Sequence, residues 1–102
     1  MEFALTGDFF SSQRAYELGL INQVVDSGGA LAAAQEMAAK IAANGPMAVA
    51  ASMMVVSQAQ DWTLDEAFQQ QRQYIDPVFS SEDAIEGATA FAEKRAPNWK
   101  GK

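Results

Sequence analysis

A chain of 102 residues has room for one small domain. Thirteen acidic against seven basic residues give a net charge of −6. That balance argues against nucleic acid as a general partner, because a phosphate backbone selects basic surfaces, and it leaves no polybasic membrane anchor. With neither histidine nor cysteine in the chain, disulfides, thiolate nucleophiles, the commonest zinc ligands and any imidazole-dependent triad are excluded.

Absence of cysteine fits a reducing compartment. Met1–Phe10 lacks the basic start and apolar stretch of a secretory leader, and no apolar run approaches the ~18 residues of a membrane span. A cytoplasmic, soluble protein is expected. Alanine is concentrated in Ala30–Ala34, Ala38–Ala43 and Ala48–Ala51. Such runs favour helix but bury little area per residue, so a self-sufficient core is not expected.

In chain order, Met1–Thr6 (MEFALT) fits either a helix end or a strand, and closes at Gly7. Ser11 and Ser12 stand where N-caps belong, ahead of a short helix over Gln13–Leu18, with Gly19 as its left-handed terminator. Leu20–Val25 (LINQVV) is apolar and β-branched and reads as a strand, followed by the turn Asp26-Ser27-Gly28-Gly29. From Leu31 the period turns helical, with Leu31, Ala34, Ala38 and Ile41 on one face and Asn44-Gly45 at the end. Pro46 opens the next helix at its first position, which carries Val49, Met53 and Val56 on a stripe to about Gln60.

Thr63-Leu64-Asp65-Glu66 has the form of a capping box. Leu64, Ala67, Phe68, Gln71 and Ile75 follow on one face, Gln69–Gln73 form the solvated side, and Pro77 is expected to stop the helix. Ser80 or Ser81 caps the last helix, which ends before Pro97. The predicted fold is therefore mainly α, with one short strand. A single strand cannot form a sheet, so its partners must come from a second copy or from an upstream portion.

The final helix carries Glu82, Asp83 and Glu86 near its start and Lys94 and Arg95 near its end. Capping and the helix dipole account for these charges. Asp65/Glu66 and Glu82/Asp83 are adjacent on helices and do not face one another, so neither makes a catalytic dyad. Trp62 and Trp99 stand near helix boundaries, where large amphipathic rings seal edges. Gly87 is different, because a mid-helix glycine costs about 1 kcal/mol relative to alanine. Gly87, Phe91 and Lys94 form one row. They would either hold a flat ring with a phosphate beside it or form a packing notch with a snorkelling lysine.

Leu5-Thr6-Gly7-Asp8, Ala15, Gly19-Leu20-Ile21-Asn22 and Val24-Val25 resemble one stretch of the enoyl-CoA hydratase/isomerase (crotonase) family. Asn44-Gly45-Pro46 with Ala48-Val49 resembles that family's next helix start. Ser81-Glu82-Asp83, Glu86-Gly87, Ala90-Phe91, Glu93-Lys94-Arg95 and Pro97 resemble its closing segment. The likeness covers essentially the whole chain.

The resemblance implies an α/β spiral fold, with residues 1–29 as the end of the spiral and residues 30–102 as a C-terminal helical oligomerisation region. It implies an acyl-CoA thioester substrate, enolate stabilisation by two backbone N–H groups, and self-association as a trimer or hexamer. In hydratases two glutamates activate water. The positions carrying the oxyanion donors and glutamates lie upstream in the family, so the chain is expected to be a truncated lyase that is inactive alone. No catalytic or metal-binding residue is assigned, and no cofactor is expected beyond the coenzyme A (CoA) of the substrate. By resemblance, Phe91 and Lys94 would lie near the adenine and phosphate of CoA. Met53-Met54 departs from the family, which often has a basic residue there. The competing expectation is a stand-alone helical interaction module with no catalysis.

Overall fold

A computed structural model describes residues 1–102. Its regular elements are all helices, without a strand, and it divides into two compact units, Met1–Glu36 and Met37–Lys102. No single helix is long and apolar enough to cross a membrane.

The first unit opens with α1 (Glu2–Thr6), so the ambiguous start is a helix. Phe3 and Phe10 stack with ring centroids 4.1 Å apart. Helix α2 (Ser12–Glu17) is capped by Ser11, whose hydroxyl accepts from the Arg14 N–H. It ends in a Schellman motif: Leu20 N–H donates to the Ala15 carbonyl and Gly19 N–H to the Tyr16 carbonyl. Gly19 has φ of +71°, where glycine carries no Cβ penalty.

The strand expected over Leu20–Val25 does not form; the segment is irregular. A strand exists only through a ladder with another strand, and this all-helical chain supplies none. Leu20, Ile21, Val24 and Val25 accordingly stay open to solvent. The turn follows as expected, with Gly29 N–H donating to the Asp26 carbonyl at 2.9 Å.

Helix α3 (Ala30–Ala42) begins in the first unit and ends in the second. Asn44 closes it by donating its side-chain amide to the Lys40 and Ile41 carbonyls. Pro46 then starts α4 (Pro46–Gln58), and a turn of 3-10 helix follows over Ala59–Asp61. Helix α5 (Leu64–Phe79) packs along α4. Met47, Val49, Ala51, Val55 and Gln58 of α4 are half-buried, as are Ala67, Gln71, Tyr74, Ile75 and Val78 of α5. The Tyr74 hydroxyl donates to Gln58 Oε1 at 2.9 Å across this seam.

Three expectations for α5 need correction. The face expected from Leu64, Ala67, Phe68, Gln71 and Ile75 is only partly inward: Ala67, Gln71 and Ile75 are half-buried, whereas Leu64 and Phe68 are 86% and 76% exposed. Thr63 does not cap by its backbone exchange with Glu66: its hydroxyl donates to the Glu66 carboxylate at 2.7 Å instead. Pro77 does not stop the helix, which runs to Phe79. Near a C-terminus proline forfeits its own N–H bond but leaves little helix beyond it to disrupt. The exit is taken over by serines. Ser80 donates to the Asp76 carbonyl, while Ser81 donates to the Val78 carbonyl at 2.6 Å and accepts from Ala84 N–H. Ser81 thus ends α5 and caps α6 (Glu82–Glu93) with one hydroxyl.

The only buried apolar side chains are Ala15 and Ala90. A globule of 11.0 kDa is expected to expose about 5,600 Å², and this chain leaves 8314 Å² open. Leu31, Met53, Val56, Phe79 and Ile85 all lie mostly in solvent. The helices form, yet their apolar faces stay uncovered.

Gly87 is explained by Trp99. A Cβ at residue 87 would lie 3.0 Å from Trp99 Cη2 and 3.3 Å from its Cζ3. In an open helix Gly87→Ala would stabilise by about 1 kcal/mol. Here the indole is tethered at Ala43 and also packs on Gly45, so we expect a net loss of about 1 kcal/mol from overpacking. Urea denaturation of the Trp62→Phe chain, followed by the fluorescence of Trp99, measures the sign.

Candidate functional site

The closing helix and the tail behind it hold the densest polar network in the chain. Asp83, 5% exposed, accepts the backbone N–H groups of Lys100 at 2.7 Å and Gly101 at 2.9 Å. Its own N–H donates to the Lys102 carbonyl at 3.1 Å. Asp83 therefore does not cap its own helix, as the sequence suggests; it holds the tail, and Ser81 does the capping.

Glu86 accepts both arms of the Arg95 guanidinium, at 2.7 and 3.0 Å, and the Asn98 backbone N–H at 2.7 Å. Arg95 also donates to Glu93 at 2.6 Å. The forked bond from Arg95, then the Asn98 N–H, pull the Glu86 carboxyl down to about 2 from its usual 4.5. The same carboxylates, Glu86 first, hold the Arg95 guanidinium still more firmly protonated.

These bonds place Trp99. Its Nε1–H donates to the Ala43 carbonyl at 2.8 Å, and its ring lies near Gly45 and Gly87. The ring thus satisfies one of the carbonyls left over at the end of α3. The indole fills the notch that Gly87 leaves.

Phe91 is 87% exposed. Lys94 lies just beyond α6, in a left-handed conformation with φ of +55°. Its N–H donates to the Phe91 carbonyl at 3.2 Å, so the two residues share the C-terminal end of the helix. Lys94 is not in the last helical turn, where the sequence reading puts it; the helix ends at Glu93.

Asp83, Glu86, Arg95 and Trp99 form a unit that helix periodicity does not reveal. Glu86 and Arg95 are nine residues apart, which on an unbroken helix puts them on opposite sides. Only the chain reversal at Lys94 brings them together.

A sequence model described as enoyl-CoA hydratase/isomerase matches residues 1–102. Enoyl-CoA hydratase EchA19 of Mycobacterium tuberculosis is 44% identical over 101 residues, covering 99% of this chain and 38% of that protein. A carnitinyl-CoA dehydratase of Proteus mirabilis is 37% identical, covering 99% of this chain and 40% of its own. Among solved structures, an enoyl-CoA hydratase of M. tuberculosis H37Rv superposes with a TM-score of 0.97 at 49% identity, over 100% of this chain and 40% of that one. EchA1 of Mycobacterium marinum gives 0.95 at 51% identity, with the same coverage. The chain therefore spans about two-fifths of the length of the relatives it matches.

The lowered pKa of Glu86 fixes the sign of a pH effect. A carboxylate held below its unfolded value stabilises the fold above that value and loses its contribution as pH falls. The contribution of Glu86 should be intact above about 4.5 and fade toward about 2. Comparing the unfolding midpoints of the parent and Glu86→Gln between those two values tests this: the gap should close as acid is added.

Proposed function

The chain belongs to the enoyl-CoA hydratase/isomerase family, and from that premise we propose that it is the C-terminal helical portion of an acyl-CoA-handling enzyme. The parent reaction we assign is addition of water across the 2,3-double bond of an enoyl-CoA. Dehydration is the nearest alternative, given the carnitinyl-CoA dehydratase relatives. The observation that supports a portion rather than a whole is the match of the full chain to about two-fifths of each relative.

The exposed apolar surface supports the same reading. The area left open beyond that of a compact globule is larger than the roughly 800 Å² one partner contributes to a standard interface. Residues 1–29 would complete the spiral core, and residues 30–102 would pack protomers into a trimer or hexamer. Activated water and the oxyanion donors would come from the remaining three-fifths. No cofactor is required beyond the CoA carried by the substrate, and a cytoplasmic location accords with such chemistry.

For this chain we assign an edge contact to CoA. Phe91 offers an exposed ring for stacking, and Lys94 a cation for phosphate. Neither is a catalytic residue in this scheme.

Three measurements test the assignment. The purified chain should not hydrate crotonyl-CoA, and sedimentation should show self-association as concentration rises. Rapid turnover, or a compact monomer at high concentration, would overturn the corresponding part. Titration with CoA should shift the amide resonances of Phe91 and Lys94, and Lys94→Ala should weaken that response several-fold. An unchanged response in Lys94→Ala removes Lys94 from the site.

A further inference from the structure

Lys94 is the one residue other than glycine with a positive φ. It closes α6 by a Schellman motif: Arg95 N–H donates to the Ala90 carbonyl and Lys94 N–H to the Phe91 carbonyl. The same motif closes α2, where glycine occupies the left-handed position. A lysine there pushes its Cβ against the backbone, and such strain persists only where surrounding contacts over-determine it.

The over-determining contacts straddle residue 94. Before it stand Glu86 and Glu93; after it stand Arg95 and Asn98. The Arg95 guanidinium donates two bonds to Glu86, one to Glu93 and one to the Ala96 carbonyl, and Asn98 N–H also reaches Glu86. A planar five-donor fork suits this set, whereas an ammonium could not satisfy both Glu86 oxygens in that plane. The bonds to Glu86, from Arg95 and from Asn98, depend on the chain reversing at Lys94.

We infer that Arg95, forked onto Glu86, is a positioning residue that holds Lys94 left-handed and so fixes where its ammonium is presented at the Phe91 end of α6. The ligand consequence rests on the reading of Phe91 and Lys94 as a CoA contact; the conformational statement stands by itself.

The full chain is compared with Glu86→Gln and Arg95→Lys by NMR, through the HN–Hα coupling and Cα shift of Lys94. The parent should give left-handed values, and both variants should move away from them while the amides of α4 and α5 keep their positions. If either variant unfolds, Lys94→Gly decides, because glycine takes the left-handed conformation without help. The loss of stability caused by Glu86→Gln should then be smaller in the Lys94→Gly chain than in the parent. Left-handed Lys94 in both variants, or an equal loss in both backgrounds, overturns the inference.

Adenosine 3′,5′-bisphosphate serves as the ligand probe. Glu86→Gln should weaken its binding as Lys94→Ala does, several-fold. Failure of the parent to bind this probe counts against the CoA reading and leaves the NMR result to decide the positioning role. Weakening by Lys94→Ala but not by Glu86→Gln or Arg95→Lys upholds the CoA contact and removes Arg95 from it.

Discussion

Two carboxylates on α6 organise the unit Met37–Lys102. Asp83 and Glu86 between them accept three backbone N–H groups from the tail, those of Asn98, Lys100 and Gly101. Trp99 lies within that clasp and has no freedom to leave while it holds. Its indole N–H then ties the tail to the end of α3, and its ring fills the space that Gly45 and Gly87 leave open. Charge-assisted bonds to backbone donors are among the stronger contacts available to a small domain, and here they stand in for a missing apolar core. The tail closes two helix termini together, satisfying a carbonyl at the end of α3 and an N–H at the start of α6.

The apolar residues have a different status. Helix α4 is apolar nearly all round, yet it is nowhere more than half-buried along its apolar faces; Met53 and Val56 remain 68% and 71% exposed. A helix apolar on every face is normally buried on every face. The mismatch is a matter of coverage, since the helix itself is well formed. Under the proposed function, the cover is the rest of the protomer and its neighbours. Met53 and Met54 suit such an apolar contact, because methionine adapts to irregular surfaces.

Elements governed by local chemistry were legible in the sequence. Ser11 and Ser81 as caps, Gly19 as terminator, Pro46 at a helix start and the Asp26–Gly29 turn each act within a few residues of themselves. Elements that need a distant partner were not. Leu20–Val25 has strand composition but no ladder, and the face read for α5 is half right: Ala67, Gln71 and Ile75 are half-buried, but periodicity cannot say that Leu64 and Phe68 on its edge find no neighbour. Capping and dipole explained the charges of α6 plausibly and missed their main partners. Those partners lie in the tail, up to eighteen residues away.

The closing segment that marks the family is mostly architectural. Ser81 joins two helices, Asp83 and Glu86 hold the tail, Gly87 makes room for Trp99, Ala90 is buried, and Arg95 locks the reversal. Each of these side chains is accounted for by a contact within the chain. Phe91 and Lys94 are the exceptions. The ring of Phe91 stands in solvent, and the Lys94 backbone holds a left-handed conformation that a residue with a Cβ disfavours. A fold can keep an exposed aromatic at no great cost, but a strained lysine where glycine would serve better needs a use for its side chain. Once the architectural duties are subtracted, these two residues are where the segment has function left to explain, and that places the proposed CoA contact at the end of α6, away from its start where the acidic residues gather.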